Sequence, residues 1–459
     1  MNIPEIPKEL IQKYSRPGPR YTSYPPVPVW TPDFDETSYR TALSELADFP
    51  EETLSLYVHL PFCASSCAYC GCNATVTTKP EVVSAYLDRL AREIRLIVPL
   101  LGKRRTVAQM HWGGGTPNFP SVEELTRLVR LLEEAFDFHP EAERSIEIDP
   151  RIASRRQLRA IRNLGFNRVS LGVQEFDPDV QKAIGRIQPE EVTKEVYDAC
   201  RSLEFESVNL DLVYGLPEQT LPKFSRTIRE IIAMRPDRVA CFNYAHVPSL
   251  RANQRKIDAT TLPTSAERFT MFGTAIGLFE AAGYGWIGMD HFARRGDELA
   301  EAAEGKRLHR NFMGYTVKPA PHLLSFGMSA ISEFAGYYAQ NDARLGRYQS
   351  ALDDHRLPIT RGHRLTADDV LRRDAIANLL CNFELPLTSV ERLARRSSEM
   401  NVPDEFDRLE PFVEDGLLRF EADRVVVTRT GRFFIRNICM ELDAYLRTGA
   451  PLPVFSKTV

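Results

Sequence analysis

The chain has 459 residues, 43% of them hydrophobic, and 58 Lys plus Arg stand against 62 Asp plus Glu for a net charge of -4. This length holds one large domain with appendages or about two to three ordinary ones, and the near balance of charge argues against general attraction to nucleic acid or membrane surfaces. The opening MNIPEIPKELIQKYSRPGPR lacks the apolar core of a secretory signal, and no apolar run approaches the roughly 18 residues of a membrane span; a cytoplasmic protein without membrane insertion is expected.

Residues 1–50 are rich in proline and aromatic side chains, as in PGPRYTSYPPVPVW, and read as an arm laid across another surface, either for packing or as a lid. From residue 53 strands and helices alternate. TLSLYVHL (53–60) is a buried strand that runs straight into PFCASSCAYCGCN, and Pro80 suits the first turn of a helix through VVSAYLDRLAREIRLIV. RTVAQMHW (105–112) is the next strand, followed by GGGTP and a helix whose start carries the capping pair Ser121 and Glu124. SIEIDP, then a helix capped by Ser154 and Gln157 with Gly165 at its exit, then NRVSLGVQ repeat the unit. VNLDLVY (208–214) and RVACFNYA (238–245) follow, separated by helices near 189–206 and 222–234.

Six such units predict an α/β partial (β/α)6 TIM-like barrel, because short apolar strands need helices over their outer faces; periodicity does not decide how far the sheet closes. Residues 264–282 read as a helix and YGWIGMDHF as one further strand with a site loop. After about residue 350 the pattern changes to a capped helix over LTADDVLRRDAIANLL, a hairpin over 417–428 turning at Ala422 and Asp423, and a last helix through RFFIRNICMELDAYL. The expected division is an arm (1–50), a catalytic barrel with an extension (51–350) and a smaller, mainly helical, winged-helix-like C-terminal domain (351–459).

Cys63, Cys67 and Cys70 are the strongest chemical signal. Three soft thiolates within eight residues can hold three irons of a 4Fe-4S cube and leave the fourth open for chemistry. Structural zinc uses paired CxxC or Cys/His spacings, and unrelated free thiols are the bland alternative. Cys200, Cys241, Cys381 and Cys439 are scattered in apolar segments and read as inert core thiols. Gly113 to Pro117 either lets a ligand approach the backbone or forms a turn; the Lys-Ser/Thr of a phosphate-binding P-loop is absent. Glu147, Gln174, Arg186 and Asp211 recur at strand ends, where they can converge on a ligand or serve as separate caps and ion pairs. Arg20, Arg294 and Arg310 can pair with carboxylates, and Tyr21, Tyr24, Asp290 and His291 are further pocket candidates.

The joined motifs PRYTSYP, YVHLPFCASSCAYCGCN, HWGGGTP, LGVQEF, NLDLVYGLP, FNYAHVP, GMDHFA, LHRNFMGYT and RNICM span nearly the whole chain. On them the sequence resembles the radical SAM superfamily and, within it, the oxygen-independent coproporphyrinogen III oxidase (coproporphyrinogen dehydrogenase) family. The resemblance implies a 4Fe-4S cluster on Cys63, Cys67 and Cys70, with Cys72 beside them as a non-ligand. It further implies two molecules of S-adenosylmethionine: one on the open iron near Tyr57, Gly114, Glu147 and Ile331, and a second near Tyr69, Gly115, Thr116, Gln174, Arg186, Asp211 and Ala245. The implied reaction cleaves S-adenosylmethionine to a 5'-deoxyadenosyl radical and converts two propionates of coproporphyrinogen III to vinyl groups, giving protoporphyrinogen IX. An electron donor and a terminal electron acceptor are implied, and a monomer that binds no nucleic acid is expected. A haem-binding chaperone and a radical SAM methyltransferase are the alternatives; the Gly71-Cys72-Asn73 tail and the PRYTSYP arm oppose the chaperone. Ser325 stands where the family leads one to expect glycine, in a 317–327 segment poorer in glycine than its counterparts.

Overall fold

The computed structural model describes residues 6–103, 105–318, 320–399, 405–447 and 455–458. Six strands follow one another in parallel: β1 (Leu54–Leu60), β2 (Thr106–Gly114), β3 (Asp137–Ile148), β4 (Arg168–Gln174), β5 (Ser207–Tyr214) and β6 (Arg238–Asn243). Helices Pro80–Ile97, Val122–Ala135, Arg155–Asn163, Glu190–Ser202 and Leu221–Met234 connect them. The periods explain the layers. In β4 the residues alternate between half-buried and buried, so Val169, Leu171 and Val173 pack against helices while Ser170, Gly172 and Gln174 face the interior of the curved sheet. In β1, Leu54, Leu56, Val58 and Leu60 are fully buried, and each such side chain contributes roughly 1.5–3 kcal/mol on burial.

The sheet then extends on both sides. After β6 come the hairpin β7 (Tyr284–Gly288) and β8 (His291–Arg294), and beyond β1 come β9 (His322–Phe326), β10 (Ile331–Phe334), β11 (Tyr337–Asn341) and β12 (Ile359–Arg364). The order is β12-β11-β10-β9-β1-β2-β3-β4-β5-β6-β8-β7, a linear series with two edges, so the barrel is open. β9 is parallel to β1 and adds a seventh parallel strand to the six that periodicity predicts. YGWIGMDHF is a hairpin and not the single strand expected. Met289 takes a φ of +42° at the turn, Trp286 Nε1 donates to its carbonyl, and Cys241 N–H holds the carbonyl of Asp290.

The C-terminal residues form a separate apolar cluster. Helix Ala367–Asn382 starts on a complete capping box of Thr366 and Asp369, and the strands Leu418–Phe420 and Arg424–Val427 form the expected hairpin with Glu384–Pro386 alongside. The last helix is shorter than periodicity predicts: a 3-10 turn at Gly431–Phe434 leads into Ile435–Glu441. It stops where Asp443 accepts from the Tyr21 hydroxyl and the Leu442 carbonyl is taken by buried Arg372. Tyr14, Tyr21 and Tyr24 of the arm belong to this same cluster, while Thr31 bridges to Gly362 of β12, so the arm ties the C-terminal residues to the sheet. Among the described residues no helix is long and apolar enough to cross a membrane.

Candidate active site

The cysteine loop leaves the C-terminal end of β1. Cys63 ends a two-residue strand, Phe62–Cys63, that pairs with Thr75–Val76 and closes the loop at its base. Asn253 braces the loop from outside: its Nδ2 is shared among the carbonyls of Cys67 (3.0 Å), Ala68 (3.2 Å) and Cys70 (2.9 Å). The next residue, Gln254, donates to the carbonyls of Tyr69 (2.9 Å) and Ala245 (3.1 Å), which joins those two candidate residues through one amide.

All three sulfurs accept hydrogen bonds. Thr116 Oγ1 donates to Cys63 (3.3 Å), the Cys72 backbone N–H to Cys70 (3.4 Å), and Arg186 and Arg151 direct guanidinium nitrogens at Cys67 (3.8 and 3.9 Å). Such donors favour sulfur carrying negative charge, and none of the three is in a disulfide. The free Cys63 thiol is nevertheless pushed up to about 11 by burial, so metal binding there must displace a proton. Among the described residues no three His, Cys, Asp or Glu side chains converge as around a single ion. Three thiols bound to separate corners of a cube need no such convergence, and soft donors supported by hydrogen bonds fit a cluster. Cys72 is exposed.

The glycines after β2 bring its end against this loop. A Cβ on Gly114 would meet His59 and the Leu60 carbonyl at 2.9 Å, and one on Gly115 would lie 2.6 Å from the Pro61 carbonyl oxygen. Inside the barrel, Tyr57 donates to His59 Nδ1 (3.0 Å), whose Nε2 donates to the Asn73 carbonyl (2.9 Å). The Asn73 acceptor places the proton on Nε2, leaving Nδ1 to accept. Tyr57 stacks on His111 at 6.0 Å, and His111 is set between Ser145 (2.6 Å) and Glu147 (3.4 Å). Glu147 also accepts from Gly114 N–H (3.2 Å). Ile331 lies on β10, next to Tyr57's partner strand. Ser325, the residue paired in register with Tyr57, donates its hydroxyl to the Ile331 carbonyl, a bond that a glycine there could not make.

A second group lies further round the sheet. The Gln174 amide and the Arg186 guanidinium meet over Gly172, where an added Cβ would come within 2.9 and 3.2 Å of them. Arg186 donates to the Gly172 carbonyl (2.8 Å) and, with Arg151, to Asp149 (3.2 and 2.6 Å). Burial works to raise the Asp149 carboxyl, but Arg151 and Arg186 outweigh it and hold the group below the usual range. Asp211 accepts from Ser170 (2.8 Å) and Asn209 (2.8 Å). Burial pushes it up to about 6 despite those bonds.

Sequence reasoning missed His59, His111, Asp149, Arg151, Asn209 and Asn253. A signal for three of them was present: Tyr57/His59, Glu147/Asp149 and Asn209/Asp211 are spaced by two on a strand or at its end, which puts each pair on one face. Asn253 sits far from the cysteines in sequence and carried none. Of the three arginines expected at carboxylates, Arg294 pairs with Asp237 (3.2 Å), Arg310 holds the carbonyls of Arg20 and Tyr21, and Arg20 pairs with Asp290 and lines a cavity.

Asp211 yields a pH prediction. Its folded pKa lies above the unfolded value of 3.8, so folding takes up protons between the two, and the cost of the charge grows as pH rises towards about 6 and is complete above it. Asp211→Asn should therefore stabilise the protein at pH 8 by on the order of 1–2 kcal/mol, since the group is only half-buried, with the gain fading towards pH 4. Paired thermal melts at the two pH values check the sign.

The open barrel and its three-cysteine loop define a radical SAM protein, and residues 57–231 match the family described as the Radical SAM superfamily. Over its whole length the chain is similar to curated oxygen-independent coproporphyrinogen III oxidases. It is 44% identical to that of Salmonella typhimurium, covering 98% of each chain, and 41% identical to that of Synechocystis, covering 99% of this chain and 98% of the relative. The solved coproporphyrinogen III oxidase of Escherichia coli, a radical SAM enzyme, superposes with a TM-score of 0.89 at 41% identity, over 96% of this chain and 99% of that one. The chain belongs to the oxygen-independent coproporphyrinogen III oxidase family, and that membership implies an iron-sulfur cluster and S-adenosylmethionine as cofactors.

Proposed function

We propose that this protein oxidises coproporphyrinogen III to protoporphyrinogen IX without oxygen, converting two propionates to vinyl groups. The observation that carries the reading is the full-length likeness to the curated oxidases, arm and C-terminal residues included. Each conversion removes one hydrogen atom and one carbon dioxide and releases one electron, so an electron donor and a terminal acceptor belong to the reaction. We place the arm at 1–50, the catalytic unit at 51–350 and the C-terminal unit at 351–459.

In this reading Cys63, Cys67 and Cys70 hold the cluster. When bound, a 4Fe-4S cluster and S-adenosylmethionine would supply the electron that splits the sulfonium and the carbon radical that takes a hydrogen atom from a propionate β-carbon. The protein's part is positioning and shielding. Tyr57, Gly114, Glu147 and Ile331 line the side next to β1 and suit the first S-adenosylmethionine. The Glu147 carboxylate can take a ligand's amine or hydroxyls, and the missing side chain of Gly114 leaves room beside it. Tyr69, Gly115, Thr116, Gln174, Arg186, Asp211 and Ala245 suit a second molecule. There Arg186 offers a fork to a carboxylate, and Asp211 can accept from hydroxyls.

The test is anaerobic reconstitution followed by reductant, S-adenosylmethionine and coproporphyrinogen III. Loss of two carboxyl groups per product with formation of 5'-deoxyadenosine is expected. Intact substrate beside a loaded cluster would count against the reading, and stable haem binding without turnover would favour the chaperone.

A further inference from the structure

A cavity of about 70 Å³ lies where the barrel meets the C-terminal residues, at the same strand edge that carries the cysteine loop. Tyr214 and Asn243, the last residues of β5 and β6, form its floor. Four arginines line it: Arg20 from the arm, Arg268 from helix Ser265–Ala281, and Arg432 and Arg436 from the C-terminal residues. Asp290 is the one acidic side chain among the lining residues, and it is already engaged by Arg20 and by His291 Nδ1 (2.9 Å).

The other three arginines differ in what they hold. Arg436 is buried and spends its donors on the carbonyls of Gly18, Pro19 (2.9 Å) and Lys457 (3.0 Å), so it is structural. Arg268 makes one side-chain hydrogen bond, to Ser265 (3.1 Å), and its buried Nε has no partner. Gly215 makes room for it: a Cβ there would lie 2.6 Å from Arg268 Cδ. Arg432 lies over the Phe383 ring at 4.0 Å and Trp286 at 6.0 Å, and among the described residues no carboxylate forms an ion pair with it. Asn243 Oδ1 is likewise buried without a partner. Burial disfavours the cations of Arg268, Arg432 and Arg436 alike, and the last is lowered to about 9. Arg268 and Arg432 are half-buried, so their partial desolvation leaves each guanidinium fork open to a carboxylate.

Building on the proposed function, we infer that this cavity takes one propionate arm of the tetrapyrrole, with Arg268 and Arg432 gripping its carboxylate. Its volume is several times the roughly 10–15 Å³ that one water needs, which leaves room for a carboxylate-bearing arm.

The test titrates the anaerobically reconstituted enzyme with coproporphyrin III, the fluorescent oxidised tetracarboxylate, and with its tetramethyl ester. Arg268→Gln and Arg432→Gln should each weaken binding of the acid about tenfold, the loss of one charge-assisted contact, and leave ester binding unchanged. Arg268→Lys should recover part of it. Iron content and far-ultraviolet circular dichroism report whether each variant is folded. Both variants binding the acid like the wild type, or losing acid and ester equally, would overturn the inference. So would saturable inorganic phosphate binding that Arg268→Gln abolishes while porphyrin affinity stays constant, which marks a free-anion site. If the wild type binds coproporphyrin III through Arg268 but does not turn over coproporphyrinogen III, the functional reading falls and the carboxylate site stands.

Discussion

Replacing Cys67 by alanine is expected to abolish turnover of coproporphyrinogen III and to leave the reconstituted protein without the iron content and visible absorption of a 4Fe-4S cluster. Two effects add. In the proposed reading one of three cluster ligands is lost, and the two guanidiniums aimed at the Cys67 sulfur, Arg186 and Arg151, are left facing each other with Asp149 as their shared counter-charge. Activity should fall by about a thousandfold or more, because in the proposed reading the cluster supplies the electron. Cys200→Ala is the control. Its thiol is buried in the core and pushed up to about 12, and its loss should cost stability while sparing the cluster. A loaded, active Cys67→Ala protein would sink the ligand assignment.

The second large effect is expected at Gly115. An alanine there would place its Cβ 2.6 Å from the Pro61 carbonyl oxygen, 2.7 Å from its carbon and 2.9 Å from the Phe62 carbonyl. All three are backbone atoms of the segment that enters the cysteine loop, so no side chain can swing aside. Either the end of β2 or the start of the loop must move, at a cost of about 3 kcal/mol. The Gly115 N–H bond to Leu60 (2.9 Å) and the Thr116 bond to Cys63 should go with it. Lower melting temperature, poor iron retention and lost turnover are the measurements. Gly71→Ala, in the same loop but with open space around the new Cβ, should load its cluster normally. Equal behaviour of the two variants would refute the packing argument.

How legible these features were depends on how local their causes are. The capping pair at Ser121 and Glu124 forms both reciprocal bonds. The pair at Ser154 and Gln157 forms only the half in which Ser154 accepts, because the Gln157 amide is drawn to Asn118 (2.7 Å), a residue that also supports Asp149. The two turn residues of the β7–β8 hairpin, Met289 and Asp290, include no glycine or asparagine to announce it. Its turn is held by Trp286 and by a neighbouring strand, partners that a local pattern cannot reveal. Candidate site residues were legible where a strand carried a polar side chain on its inner face, as at Glu147 and Asp211. They were not where a distant loop supplied the contact, as at Asn253.

Local order determined much by itself. Alternation of apolar residues dictated which strand face meets the helices, and the spacing of Cys63, Cys67 and Cys70 put three thiols into one short loop. The sequence order of strands and helices was enough for the parallel run of β1 to β6. Only tertiary structure decided that the sheet stays open, that β9 joins β1, that Arg186 and Arg151 face Cys67, and that Arg20, Arg268, Arg432 and Arg436 share one cavity. The reason is physical. Periodicity and capping act over a turn or a strand, whereas charges brought together from residues 20, 268 and 432 meet only after the arm, the barrel and the C-terminal residues have packed.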